Sequence, residues 1–123
     1  MNPQDCLGKS FTVDLYGCQY DILDDKTKVQ ELLETAAKKA KATVLNVYTH
    51  RFAPQGITCL VAISESHIAI HTWPEYNFAS VDIYTCGNEA MPDNAKDHII
   101  EVLQPQRQEI KELSRGNVIF LDK

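Results

Sequence analysis

Long hydrophobic runs are missing from this chain. The longest apolar stretch, Cys59 to Ile63, falls far below the ~18–20 residues that a membrane-crossing helix needs. The opening residues, MNPQDCLGKS, lack the apolar core of a secretory leader, so a cytoplasmic protein is expected. Basic charge is also scarce. Twelve Lys and Arg stand against 17 Asp and Glu, a net charge of −5, and no basic patch is interleaved with aromatics. Non-specific nucleic-acid binding is therefore not expected. The four cysteines, Cys6, Cys18, Cys59 and Cys86, contain no CxxC pair, which removes the common zinc and thioredoxin-type motifs. A reducing compartment would also keep them out of a disulfide framework. Each is read as buried filler unless its surroundings make it a reactive thiol. There is no linker, low-complexity stretch or short repeat.

What is present suits one domain spanning residues 1–123. The chain has 123 residues, 44% hydrophobic and 24% charged, close to globular averages and enough for a modest core. FTVDLY, from Phe11 to Tyr16, alternates as a strand and Gly17 breaks it. Asp24 and Asp25 offer a helix cap, and Val29, Leu32, Leu33, Ala36, Ala37 and Ala40 then recur at helical spacing. A strand is expected over Ala42–Phe52, with Val44 and Leu45 at its apolar centre, broken by APQG. TCLVAIS and HIAIHTW read as one strand or a returning pair, PEYN as a turn and FASVDIYTCG as a further strand. Pro92 and Asp93 open a second helix with Ala95, Ile99 and Leu103 on one face. Pro105 ends it, and the charged segment Arg107–Gly116 reads as a late or edge strand. The order β-α-β-β-β-α-β, with successive strands unbroken by helices, predicts an α+β fold. It is a two-layer sandwich, a mainly antiparallel sheet with helices on one face. No helix remains to cover the other face, so a second subunit is the expected cover.

ISESHIAIHTW, Ile63 to Trp73, carries the chemistry. A strand that only filled a core would not need two serines, a glutamate and two histidines. Ser66 by itself most often satisfies backbone groups locally. Glu65, His67 and His71 change its setting, and the two histidines share a face of a regular strand. A serine hydrolase would want its nucleophile on a strand-to-helix elbow, which SESH is not. His67 and His71 with Glu75 or Asp82 could ligate a metal. Their four-residue spacing, however, is diagnostic on a helix rather than a strand. These residues alone leave the chemistry open.

Read together, ISESHIAIHTWPE and DIYTCG resemble the short prokaryotic S-adenosylmethionine decarboxylases. So do LG and DLYGC near the N-terminus, HRFAPQG before the serine strand and RG near the C-terminus. The resemblance spans nearly the whole chain and includes the separation of Ser66 from Cys86. It implies a proenzyme that cuts itself between Glu65 and Ser66 into chains 1–65 and 66–123. Ser66 Oγ would attack the Glu65 carbonyl, and elimination followed by loss of ammonia would leave a pyruvoyl group at position 66. That group would form a Schiff base with the substrate amine and accept electrons as carbon dioxide leaves. The resemblance assigns His71 as proton acceptor in processing, Thr58 as a processing hydroxyl and Cys86 as proton donor in turnover. It assigns Phe52, Ile68, Trp73 and Glu75 to S-adenosylmethionine, whose sulfonium cation suits aromatic and acidic neighbours. It further implies a homodimer of processed protomers and a product used in spermidine and other polyamine synthesis, and no metal is expected.

The chain departs from the family pattern in three places. Ser10 stands where relatives commonly carry histidine, Cys59 where many have glycine or alanine, and Asn77 where glycine is common. Ser10 keeps open the same chemistry on ornithine or arginine, and a non-catalytic paralogue is the remaining alternative. Cys6 and Cys18 are read as structural. His67 and Ser64 stay outside the catalytic set.

Overall fold

The computed structural model describes residues 6–64, 66–86 and 91–121. Six strands form one sheet: β1 (Cys6–Tyr16), β2 (Val44–Arg51), β3 (Ile57–Ile63), β4 (Ser66–Trp73), β5 (Phe78–Cys86) and β6 (Arg107–Asn117). Their order across the sheet is β2-β3-β4-β5-β1-β6, and every neighbouring pair is antiparallel. The helices are α1 (Tyr20–Leu23), α2 (Lys26–Lys39) and α3 (Pro92–Leu103). The expected α+β sandwich is observed, with the short α1 as an addition to the expected order.

Local chemistry explains the helix limits. Asp25 caps α2 by accepting the Lys28 N–H at 3.0 Å, and Lys38 and Lys39 face the carbonyl end of the dipole. Pro92 sits in the first turn of α3, where its missing N–H costs no bond. That helix stops as Gln104 enters the left-handed region at φ 44°, and Pro105 cannot continue it.

Alternation along the strands splits the sheet into unlike faces. Phe11, Val13 and Leu15 of β1, Ile57, Cys59 and Val61 of β3, Ile68 and Ile70 of β4, and Val81 and Ile83 of β5 are buried. They form one core with Val29, Leu32 and Leu33 of α2 and Ala95, Ile99 and Leu103 of α3. Residues of the opposite parity, including Tyr48, Leu60, His67, Trp73 and Asp82, are exposed. This open face is the one for which the sequence offers no helix.

One expectation about β2 needs correcting. Its register against β3 slips between Val44 and Asn46, which makes Leu45 the extra residue of a bulge. Leu45 is consequently 65% exposed. Only Val44, partly buried against the core, keeps the expected apolar role.

Candidate functional site

The candidate side chains gather at the two ends of β4. At its start, Ile63 pairs with Ser66 across the β3–β4 hairpin. Ser66 holds φ at 156°, an angle that residues with side chains seldom adopt. Its hydroxyl lies 3.5 Å from the Cys86 thiol at the end of β5. Either atom can donate in that contact. Glu65, the expected partner in cleavage, lies outside the described residues.

At the other end, Thr58 of β3 stands opposite His71 of β4, and Thr58 Oγ1 is 3.0 Å from His71 Nδ1. Both point to the open face. They share a cleft of about 350 Å³ with Phe52, Gln55, Gly56, Ile57, Thr72, Trp73 and Glu75. Phe52 meets His50 edge-on at 4.5 Å between ring centres, and Trp73 lies 6.5 Å from the His71 ring and 5.4 Å from Phe78. Such a cleft can take a flat ring against its aromatic walls and a cation or hydroxyl pair near Glu75.

The Glu75 turn is shaped by its neighbours. Pro74–Tyr76 forms a 3₁₀ turn that Asn77 closes at φ 51°. The left-handed angle explains why glycine suits this position, and asparagine tolerates it. Asn77 adds what glycine cannot, a side-chain N–H bond to the Cys18 carbonyl at 3.1 Å. Cys18 N–H returns a bond to the Asn77 carbonyl at 2.8 Å, so the turn is tied to the end of β1.

Five of the expected residues thus come together in the cleft: Phe52, Thr58, His71, Trp73 and Glu75. Ser66 and Cys86 form a separate pair. Ile68 is not among the residues that line the cleft. It is fully buried in the core on the helix-packed face, because its parity along β4 opposes that of His71. It therefore does not share the cleft with Phe52, Trp73 and Glu75. His67 packs edge-on against Tyr84 at 5.9 Å. Ser10 is buried opposite Tyr84 and Leu113, so the departure at position 10 does not reach the cleft.

Cys18 and Cys59 are buried, unlike Cys86. Burial pushes the Cys18 thiol up to about 11, which suits an inert core residue. Burial also raises Cys59, whose sulfur receives the Thr49 hydroxyl at 3.4 Å. Among the described residues no group of three or more His, Cys, Asp or Glu could hold a metal ion.

Sequence reasoning passed over Gln55, Gly56, Ile57 and Thr72 as lining residues. The APQG breaker after Phe52 was the available signal, since a turn beside an aromatic at a strand end often builds a rim.

Comparison with known proteins identifies the family. Residues 9–116 match the family model for S-adenosylmethionine decarboxylase. The chain is 49% identical over 109 residues to S-adenosylmethionine decarboxylase proenzyme 2 of Bacillus cereus, covering 89% of each chain. It is 41% identical over 110 residues to the S-adenosylmethionine decarboxylase proenzyme of Methanococcus maripaludis, covering 89% of this chain and 90% of that one. The crystal structure of adenosylmethionine decarboxylase from Aquifex aeolicus superposes with a TM-score of 0.89 at 39% identity, over 97% of this chain and 98% of that one. The chain belongs to the S-adenosylmethionine decarboxylase family.

Proposed function

We propose that this protein is a self-cleaving, pyruvoyl-dependent decarboxylase of S-adenosylmethionine that works as a homodimer and supplies decarboxylated product for polyamine synthesis. Its four free cysteines suit the reducing cytoplasm in which we place it. The observation that carries the reading is the Ser66–Cys86 contact at 3.5 Å. It sets a proton donor within reach of the atoms that position 66 would contribute to the group. A pyruvoyl group there would supply a carbonyl electron sink for loss of carbon dioxide from an amino acid.

The chain's own residues divide the remaining work. In processing, Ser66 Oγ attacks the preceding carbonyl, and its bond to nitrogen gives way to an ester. His71 then takes the Ser66 α-proton as the ester carboxylate departs, and Thr58 donates to the oxyanion of the first step. In turnover, Cys86 holds a proton at Sγ for the substrate α-carbon. Phe52 and Trp73 hold the nucleoside by stacking, and Glu75 accepts from the ribose hydroxyls. Their size and pattern favour S-adenosylmethionine over ornithine or arginine, which would leave an aromatic, ribose-sized subsite unused.

Distance argues for the second subunit. His71 stands five residues beyond Ser66 on the same strand, roughly 16 Å at ~3.3 Å per residue. Proton transfer needs contact at ~3 Å, so His71 does not serve Ser66 of its own sheet. Two open faces packed about a two-fold axis lay the His71 end of one copy over the Ser66 end of the other. That arrangement also covers Tyr48, Leu60 and Trp73, which are 58%, 43% and 40% exposed in the single chain.

Denaturing mass spectrometry tests the reading. Two fragments, 1–65 and 66–123, are expected, the second lighter by one ammonia than its encoded sequence. The processed protein should release carbon dioxide from S-adenosylmethionine and not from ornithine or arginine. A single intact chain after long incubation would count against it.

A further inference from the structure

The corner between α1 and α2, Leu23–Asp24, lines no part of the cleft, yet it bonds to the strand ends that build it. Asp24 Oδ2 accepts from Arg51 Nη2 at 2.7 Å, and the Asp24 carbonyl accepts from Arg51 Nε at 3.4 Å. Asp24 Oδ1 accepts the Gly56 N–H at 3.0 Å. Arg51 and Gly56 flank the turn that carries Phe52, and the Phe52 N–H closes that turn on the Gly56 carbonyl at 2.8 Å. One carboxylate therefore grips both ends of the turn. Beside it, the Leu23 carbonyl accepts the Thr72 hydroxyl at 2.7 Å, and the same hydroxyl oxygen accepts the Ile57 N–H at 2.9 Å. The ends of β2, β3 and β4 are thus tied to two consecutive residues.

Phe52 shows why a grip is needed. The residue is 47% exposed, and its ring meets His50. Core packing cannot set a side chain that stands half in water, so the conformation of the turn must do so. The Gly56 N–H, and after it Arg51, hold the Asp24 carboxyl below the ordinary carboxylate range, so the group is charged at neutral pH. The pair is partly open to water, with Arg51 43% and Asp24 19% exposed. Such pairs add little to global stability, and the consequence of this one is local.

We propose that Asp24 is a positioning residue for the substrate: it holds the Phe52–Gly56 turn, and with it the Phe52 ring, in the form that completes the aromatic wall of the cleft. The proposal rests on the reading of that cleft as the nucleoside subsite. A turn ordered before binding spares the ligand the entropic cost of ordering it.

Steady-state kinetics of the full processed enzyme tests this, with cleavage and melting temperature measured alongside. Asp24→Asn keeps an acceptor for Gly56 but loses the charge facing Arg51, and Asp24→Ala removes both bonds. KM for S-adenosylmethionine should rise about threefold in the first and about tenfold in the second, with kcat within about twofold and cleavage complete. The rise should be absorbed by Phe52→Ala, so that the double variant is no worse than Phe52→Ala alone. Arg51→Met releases the turn from the other side and should match Asp24→Asn, which keeps the test alive if Asp24→Ala fails to fold. A raised KM in Phe52→Ala with KM unchanged in the Asp24 and Arg51 variants overturns the proposal, and so does full additivity. A Phe52→Ala variant with unchanged KM instead removes the subsite reading beneath it.

Discussion

At its first residue β4 sets Ser66 against Cys86, 3.5 Å from oxygen to sulfur. At its sixth it sets His71 against Thr58 at 3.0 Å, beside an aromatic cleft. Among the described residues the first pair brings together a hydroxyl and a thiol and lines no part of the cleft. The second brings together an imidazole and a hydroxyl within the cleft. We read each end as half of a site. The strand between them, Ile68 and Ile70, is buried filler on the helix side. Its length keeps the halves apart within one chain, and we read the same length as what lets them meet across two.

The largest effect expected from breaking this division is at Ser66. Ser66→Ala should leave a single uncut chain that releases no carbon dioxide, and unchanged activity would sink the enzymatic reading of that end. His71→Ala should also block cleavage. Cys86→Ala should cleave normally and then turn over about 10²–10⁴-fold more slowly, as read by mass spectrometry and carbon dioxide release. Equal cleavage defects in both variants would erase the distinction between the ends.

Co-expressing the Cys86→Ala and His71→Ala chains sharpens the comparison further. Random pairing should give mixed dimers with one intact composite site, and activity near about a quarter of the parent. No recovery would place both halves in one chain. Glu75→Ala tests the cleft end alone, where loss of charged hydrogen bonds should raise KM by about 10–100-fold while cleavage proceeds. The smallest effect belongs to Asn77→Gly. It loses the bond to the Cys18 carbonyl and relaxes a left-handed angle, for a net change within about 1 kcal/mol by thermal melting.

Much of the fold was legible because it rests on local regularities. Helical spacing from Val29 to Ala37 and the Asp25 cap located α2, and Pro92 with Pro105 bracketed α3. Leu45 misled because a bulge depends on the partner strand, and no pattern within β2 marks it. The Ser66–Cys86 and Thr58–His71 pairs were nameable as residues, but their contacts are set by register. Asp24 looked like one half of a cap. Its bonds to Arg51 and Gly56 span 27 and 32 residues, beyond anything local pattern can report.

The sequence by itself determined most of the strand and helix content, which follows from residue type and short-range periodicity, and its motifs carried the family resemblance that named the candidate side chains. The tertiary structure decided which of them meet. Antiparallel register placed Cys86 beside Ser66 and Thr58 beside His71, and strand parity turned Ile68 into the core while His71 faces outward. The ~3.3 Å rise per residue put the two pairs out of each other's reach within one sheet.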